Sequence, residues 1–268
     1  MNVNNAVKVA LIGNPNTGKS TVFNLLTGLR QKIGNFPGVT VDKKSGVIQI
    51  DGVEHELIDI PGVYSIYPSN KEEKVVYKLL VSSPPQQRPD LGIMVADASN
   101  LARSLFFFSQ LIDCGLPLVL VINMNDIAEK KGIRIDTKAL QQAFSNTPIV
   151  FMNARVGLGK DRLLAAVKHQ IAEGKHEQIK VSNSLKNLDD LLGQEEEATQ
   201  RQAYIGKTLQ HTVSVTKTSV RKNNLDRWLT HPISGYLIFS AILFIIFQFV
   251  FSFDLHLQNN QIHLHLHK

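Results

Sequence analysis

Gly13-Asn14-Pro15-Asn16-Thr17-Gly18-Lys19-Ser20 is the stretch that decides the fold. The octet fits G-x-x-x-x-G-K-[ST], and it stands between the apolar run Val7–Ile12 and the helical stretch Lys19–Thr27. That strand–loop–helix setting is the one in which the pattern cradles phosphate. Glycines at both ends let the backbone curl until successive N–H groups point inward at an anion, and the helix N-terminus adds partial positive charge. Lys19 is expected to reach the β- and γ-phosphates of a nucleotide, and the Ser20 hydroxyl to ligate Mg2+.

Outward from the loop, as far as about Ala172, short apolar runs alternate with longer amphipathic stretches. The strand-like runs are Val7–Ile12, Gly46–Ile50, Glu56–Ile60, Leu91–Ala96, Leu118–Asn123 and Thr147–Met152. The helix-like stretches are Lys19–Thr27, Glu72–Val81, Leu101–Cys114, Thr137–Phe144 and Leu158–Ile171. This alternation predicts an α/β fold over residues 1–172: a phosphate-loop GTPase domain with a mostly parallel six-stranded sheet flanked by helices. Ile50-Asp51-Gly52-Val53 reads as a tight hairpin, so the second and third strands are expected to run antiparallel. Residues 173–226 are polar, with Leu185, Leu188, Leu191 and Leu192 at helical spacing. They predict a small helical connector whose acidic run, Glu195 to Glu197, is a solvated face.

Further elements fall where a GTPase needs them. In Asp59-Ile60-Pro61-Gly62, the carboxylate of Asp59 can hold the Mg2+ shell and the Gly62 N–H can contact a γ-phosphate. In Asn123-Met124-Asn125-Asp126, Asp126 can accept both the N1–H and the exocyclic amine of guanine, a donor pair that adenine lacks. Asn153-Ala154-Arg155 follows the sixth strand and offers a backbone N–H to the guanine carbonyl. Gly38, Val39 and Thr40 form a switch segment in which Thr40 completes the Mg2+ shell. Val63 stands where many GTPases carry a water-orienting glutamine. Asn16, in turn, can offer its side-chain oxygen to K+ beside the β- and γ-phosphates, putting positive charge where the transition state develops negative charge. Asn16, Lys19, Thr40 and Gly62 are thus the expected catalytic set, with GTP or GDP, Mg2+ and K+ as cofactors.

Composition narrows the remaining choices. The chain has 268 residues, is 43% hydrophobic and 19% charged, and carries a net charge of +6. One cysteine, Cys114, excludes a disulfide framework and any multi-thiolate metal site within the chain. A mean hydropathy of −0.04 excludes a multi-span membrane protein of this length. No secretory signal opens the chain. Ile233 to Phe253 nevertheless runs 21 residues without a charge and holds six phenylalanines. At about 1.5 Å per residue that length crosses a hydrocarbon core of roughly 30 Å. Lys217, Arg221, Lys222 and Arg227 precede it, so its N-terminal side is expected to face the cytoplasm. Residues 227–253 are therefore read as membrane entry and a single membrane helix, and the nearby basic residues as contacts to anionic lipid. Ser234, Gly235, Ser240 and Ala241 give a faint signal for self-association of the span. Residues 254–268 form an irregular tail in which His263, His265 and His267 would share one face of a strand. No basic patch interleaved with aromatics occurs in the first 172 residues, and no nucleic-acid partner is expected.

Gly13 to Gly28, Gly34 to Gly46, Asp59 to Ser65 and Leu225 to Phe239 together resemble the ferrous iron transport protein B family. The resemblance implies a membrane-tethered, potassium-stimulated GTPase that gates Fe2+ uptake across a bacterial plasma membrane. It assigns the family's switch segments to Asn35–Thr40 and its cation-binding asparagine to Asn16. The chain is therefore expected to be the cytosolic GTP-binding and GTP-hydrolysing module of such a transporter, stopping before the permease, with Fe2+ as the cargo of the intact protein. Two alternatives stand beside it: a membrane-tethered, GTP-dependent binding switch with negligible hydrolysis, and a ribosome-assembly-type GTPase.

Overall fold

The computed structural model describes residues 6–36, 39–144, 146–173, 185–216, 231 and 233–265, with side chains described as far as Phe249. Residues 1–218 form one compact unit and residues 219–268 another.

In the first unit, β1 (Lys8–Gly13) leads through the phosphate loop into α1 (Lys19–Thr27). Then come β2 (Gln31–Asn35), β3 (Asp42–Ile50), β4 (Val53–Asp59), α2 (Lys71–Tyr77), β5 (Leu91–Asp97), α3 (Leu101–Asp113) and β6 (Leu118–Asn123). The chain continues with α4 (Asn125–Lys130), β7 (Ile133–Ile135), α5 (Thr137–Ala143), β8 (Ile149–Phe151), α6 (Lys160–Glu173), α7 (Leu191–Thr212) and β9 (Val213–Val215). One sheet has the order β2-β3-β4-β1-β5-β6-β8, with β4, β1, β5, β6 and β8 parallel. The strands of the parallel centre are buried on both faces, which is why they read as unbroken apolar runs. Leu11, Leu57, Ile93 and Val121 point to the layer of α1 and α6, while Ile12, Ile60, Met94 and Leu120 point to the layer of α3 and α5.

The sheet has seven strands, not six. The extra one, β2, is exposed at every residue and so carries no hydrophobic alternation to read. It exists because residues 31–46 fold back on themselves, with Asn35 opposite Asp42 and Gln31 opposite Gly46. The hairpin between β3 and β4 forms as expected: Asp51 (φ 50°) and Gly52 (φ 78°) both take the left-handed conformation of a type I′ turn. The short elements α4, β7 and β9, of 6, 3 and 3 residues, are too short to show a hydrophobic period. Of these, β7 and β9 pair with each other antiparallel, far apart in sequence.

The connector differs from its sequence reading in two ways. Leu191 and Leu192 open α7 but are largely exposed, and Leu188 lies ahead of it, so the leucine spacing marks no buried helical face. The acidic run is not uniformly solvated either: Glu195 and Glu196 are exposed, whereas Glu197 is buried beside the fully buried Arg201. The Arg201 guanidinium donates to Asp113 Oδ2 of α3 at 2.7 Å and to Glu197 Oε1 at 2.5 Å. The Tyr67 hydroxyl donates to the other Glu197 oxygen and accepts the Lys186 N–H at 2.8 Å. Burial, and then its bond to Glu197, push the Tyr67 phenol well above its ordinary 10.0. Glu197 and Arg201, one turn apart on α7, thus tie that helix to Asp113 of α3 and to Tyr67 in the segment that follows β4.

In the second unit, α8 (Ser234–His265) is a helix of 32 residues. Tyr236, Phe239, Phe244, Ile245, Phe247 and Phe249 are all more than half exposed, on every side of it. Among the described residues, however, no helix is long and apolar enough to cross a membrane. The described side chains, Ser234 to Phe249, rise only about 24 Å. The irregular tail expected from Asp254 onward is corrected as far as His265, to which the backbone stays helical. His267 lies outside the described residues.

Replacing Glu197 by alanine leaves Arg201 short of a buried counter-charge, and it should cost about 3–5 kcal/mol in a denaturant titration. Glu195→Ala, on the solvated side, should stay within about 0.5 kcal/mol. Equal effects from the two would contradict the buried pairing.

Candidate functional site

The carboxyl ends of the parallel strands meet along one edge of the sheet, as the register requires: Leu11 stands opposite Asp59, Gly13 opposite Val95, and Asp97 opposite Asn123. In open α/β sheets ligands bind outside this edge. The phosphate loop leaves β1 there. It turns through Asn16 (φ 66°) and Gly18 (φ 83°), both left-handed, and enters α1. Gly18 has no side chain to cap the helix, so the first-turn amides of α1 are left to an anion.

Four contacts hold the loop in place. Asn123, only 4% exposed, donates from Nδ2 to the Thr17 carbonyl at 3.0 Å and accepts the Ala154 N–H on Oδ1 at 3.1 Å. A Cβ on Gly18 would lie 2.4 Å from that Nδ2, so only glycine admits the bond. Asn14, also buried, donates to the Val63 carbonyl at 2.9 Å. A Cβ on Gly62 would come within 3.2 Å of the Pro15 nitrogen, so the turn after β4 rests directly on the phosphate loop. Finally, the Lys19 ammonium pairs with Asp59 Oδ1, both side chains being about nine-tenths buried. The cation meant for phosphate and the carboxylate meant for the metal side therefore face each other.

The structure thus brings together Gly13 to Ser20, Asp59 to Gly62, Asn123 and Ala154. Within this group Asn16 and Ser20 are exposed, Pro61 is half-buried, and Ile60 turns its side chain fully into the core. Met124 is left-handed (φ 61°) at the start of α4. Asn125 is engaged on its own helix, donating to Glu129 at 2.6 Å. Asp126 is half-buried in the first turn of α4 and makes no side-chain hydrogen bond among the described residues. The backbone amides of the Asn153–Arg155 loop are engaged: Asn153 N–H donates to the Leu158 carbonyl, Ala154 N–H to Asn123 Oδ1, and Arg155 N–H to Asn153 Oδ1. A guanine carbonyl at this loop would share the Ala154 amide with Asn123. Val39 and Thr40 lie in the loop between β2 and β3; Thr40 is exposed and joins no hydrogen bond with the phosphate loop among the described residues. Gly38 lies outside the described residues.

Val63 has a physical account. Its side chain is 1% exposed in the core and its carbonyl is held by Asn14, so this position does not face the site at all. The exposed side chain is the next one, Tyr64, with the Arg103 guanidinium 5.1 Å from its ring centroid. Sequence reasoning missed both Arg103 and the role of Asn14; Arg103 carries no motif, and only the α3 packing brings it there.

Ser20, Asp59 and Thr40 supply oxygen donors only, the set that Mg2+ takes, and Asn16 adds an exposed carboxamide. Among the described residues there is no cluster of three or more His, Cys, Asp or Glu side chains able to hold a metal ion.

A phosphate loop between β1 and α1, Asp-x-Pro-Gly after β4 and Asn-x-x-Asp after β6, on a mostly parallel sheet, define a phosphate-loop GTPase fold. The model of the family described as ferrous iron transport protein B matches residues 7–167. The chain is 31% identical to the Fe(2+) transporter FeoB of Leptospira biflexa, over 91% of this chain and 44% of that protein. It is 38% identical to the Fe(2+) transporter FeoB of Escherichia coli strain K12, over 69% of this chain and 24% of that protein. Among solved structures, the cytosolic domain of the T. maritima FeoB iron transporter in a GDP form matches with a TM-score of 0.66 and 25% identity, covering 78% of this chain and all of that one. The cytosolic domain of L. pneumophila FeoB matches with a TM-score of 0.64 and 30% identity, over 77% of this chain and 99% of that one. The chain belongs to the ferrous iron transport protein B family. It spans less than half the length of these transporters.

Asn123→Ala should strand the Thr17 carbonyl and the Ala154 amide, at about 1–3 kcal/mol each. Nucleotide affinity should fall at least about tenfold. Asn125→Ala, which loses only a bond on its own helix, should change affinity far less. Equal losses in a nucleotide titration would contradict the bridging role.

Proposed function

We propose that this chain binds GTP and hydrolyses it to GDP and phosphate, and that it does so as the cytoplasmic module of a ferrous iron transporter. The observation that carries the reading is the Lys19–Asp59 pair at the foot of α1, framed by the loops that Asn123 joins. A nucleotide's phosphates would draw Lys19 from Asp59, freeing the carboxylate for the metal side. Bound Mg2+, held through Ser20, Asp59 and Thr40, would neutralise charge on the β- and γ-phosphates. The Gly62 N–H, fixed by the contact of its residue with Pro15, would donate to the γ-phosphate. Asp126 would select guanine by accepting its two donors. With Val63 buried, no side chain at that position orients water. Turnover would then rest on preorganised charge, to which K+ held by Asn16 would contribute.

Residues 1–172 are taken as the nucleotide-binding domain and 173–226 as the connector. The exposed apolar girdle of α8 supports reading residues 227–253 as membrane entry and one span in a bacterial plasma membrane, with the basic flank on anionic lipid. Fe2+ would be the cargo of the whole transporter; no residue described in this chain is assigned to it. The burial of Val63 also favours a second reading, a GTP-dependent binding switch that barely hydrolyses.

Phosphate release separates the two. Hydrolysis of GTP by the full chain should be roughly tenfold or more faster in KCl than in NaCl, and Asn16→Ala should abolish the difference. Equal rates in both salts would remove K+ from the account, and no turnover in either would leave the binding switch.

A further inference from the structure

Between β3–β4 and α2 lies a cavity of about 520 Å3. Phe36, Ile58 and Val75 are buried in its apolar floor, with Val39 and Leu79 packed beside them. Lys8, Lys43, Lys74 and Lys78 stand around it against a single acid, Glu56. Glu56 is already paired with Lys43 at 3.2 Å. Lys8, Lys74 and Lys78 are exposed.

Two physical facts select the ligand. The volume falls within the range of about 300–1,000 Å3 that small molecules occupy, so the cavity does not call for a macromolecule. Lys74 and Lys78 are four residues apart on one helical face, where like charges cost each other stability unless an anion sits between them. A free phosphate would find no partner on the apolar floor, and a neutral lipid would leave the lysines unused. We propose that this cavity binds a single-chain amphiphilic carboxylate of the fatty-acid type. The chain lies on Phe36, Ile58, Val75 and Leu79, and the carboxylate sits at Lys74 and Lys78. Phe36 and Val39 belong to the loop that carries Thr40, so an occupant braces that loop. Any effect on GTP turnover rests on the function proposed above, whereas binding itself does not.

The test is photolabelling without nucleotide. The full chain, in nanodiscs of uncharged phospholipid, is irradiated with a diazirine analogue of dodecanoic acid, and the adducts are mapped by mass spectrometry. Labelling of the peptides carrying Phe36, Val39, Val75 and Leu79 should saturate and be competed by dodecanoate but not by dodecanol. Lys74→Glu with Lys78→Glu should lower it roughly tenfold. Labelling of the apolar α8 should stay unchanged in the variant, which controls for probe delivery. Labelling confined to α8, or cavity labelling that dodecanol competes equally or that ignores the charge reversal, would overturn the proposal.

Discussion

Two hydrogen bonds from one buried carboxamide hold the nucleotide edge together. Asn123 stands at the carboxyl end of β6 and reaches the Thr17 carbonyl on one side and the Ala154 amide on the other. Without it, the phosphate loop and the loop after β8 would be separate surface turns, each free to choose its own conformation. The bond also explains Gly18, because any side chain there would collide with the Asn123 amide. A second tie, Asn14 to the Val63 carbonyl, does the same for the turn after β4. Rigid strands set where these loops begin, and buried amide bonds set where they end, which is how a site on loops keeps its geometry.

The same segment after β4 is gripped from the opposite side. Tyr67 ends that segment on Glu197 of α7, and Glu197 in turn neutralises Arg201 with help from Asp113. A buried guanidinium tolerates little rearrangement, since each lost partner leaves charge in an apolar setting. The connector helix is therefore a structural part of the unit that bears the phosphate loop, rather than a tether beyond it. Ser65 and the Ile66 amide, both bonded to Gln110 of α3, complete the anchoring.

Much of this was legible from residue patterns, and the exceptions share a cause. The parallel core strands, α1, α3, α5 and the β3–β4 hairpin follow from period, caps and turn chemistry that act over a few residues. So do the phosphate loop and the two further motifs of the site. What could not be read depends on contacts distant in sequence. The edge strand β2 is exposed throughout and is defined only by its partner β3. The burial of Glu197 follows from an arginine four residues on and an aspartate on another helix. Val63 shows the same limit: its position in the motif suggested a place in the site, and packing turned it into the core. In the tail, His–apolar alternation suits a strand, but the helix that begins at Ser234 runs on to His265.

Whether this edge is a guanine-nucleotide site is decided by an equilibrium titration of the full chain with GTP and ATP, each with Mg2+. GTP should bind at least about a hundredfold more tightly, because ATP would leave the Asp126 carboxylate without its two donors. Equal affinities, or a preference for ATP, would contradict the assignment of Asp126 and with it the reading of the whole edge.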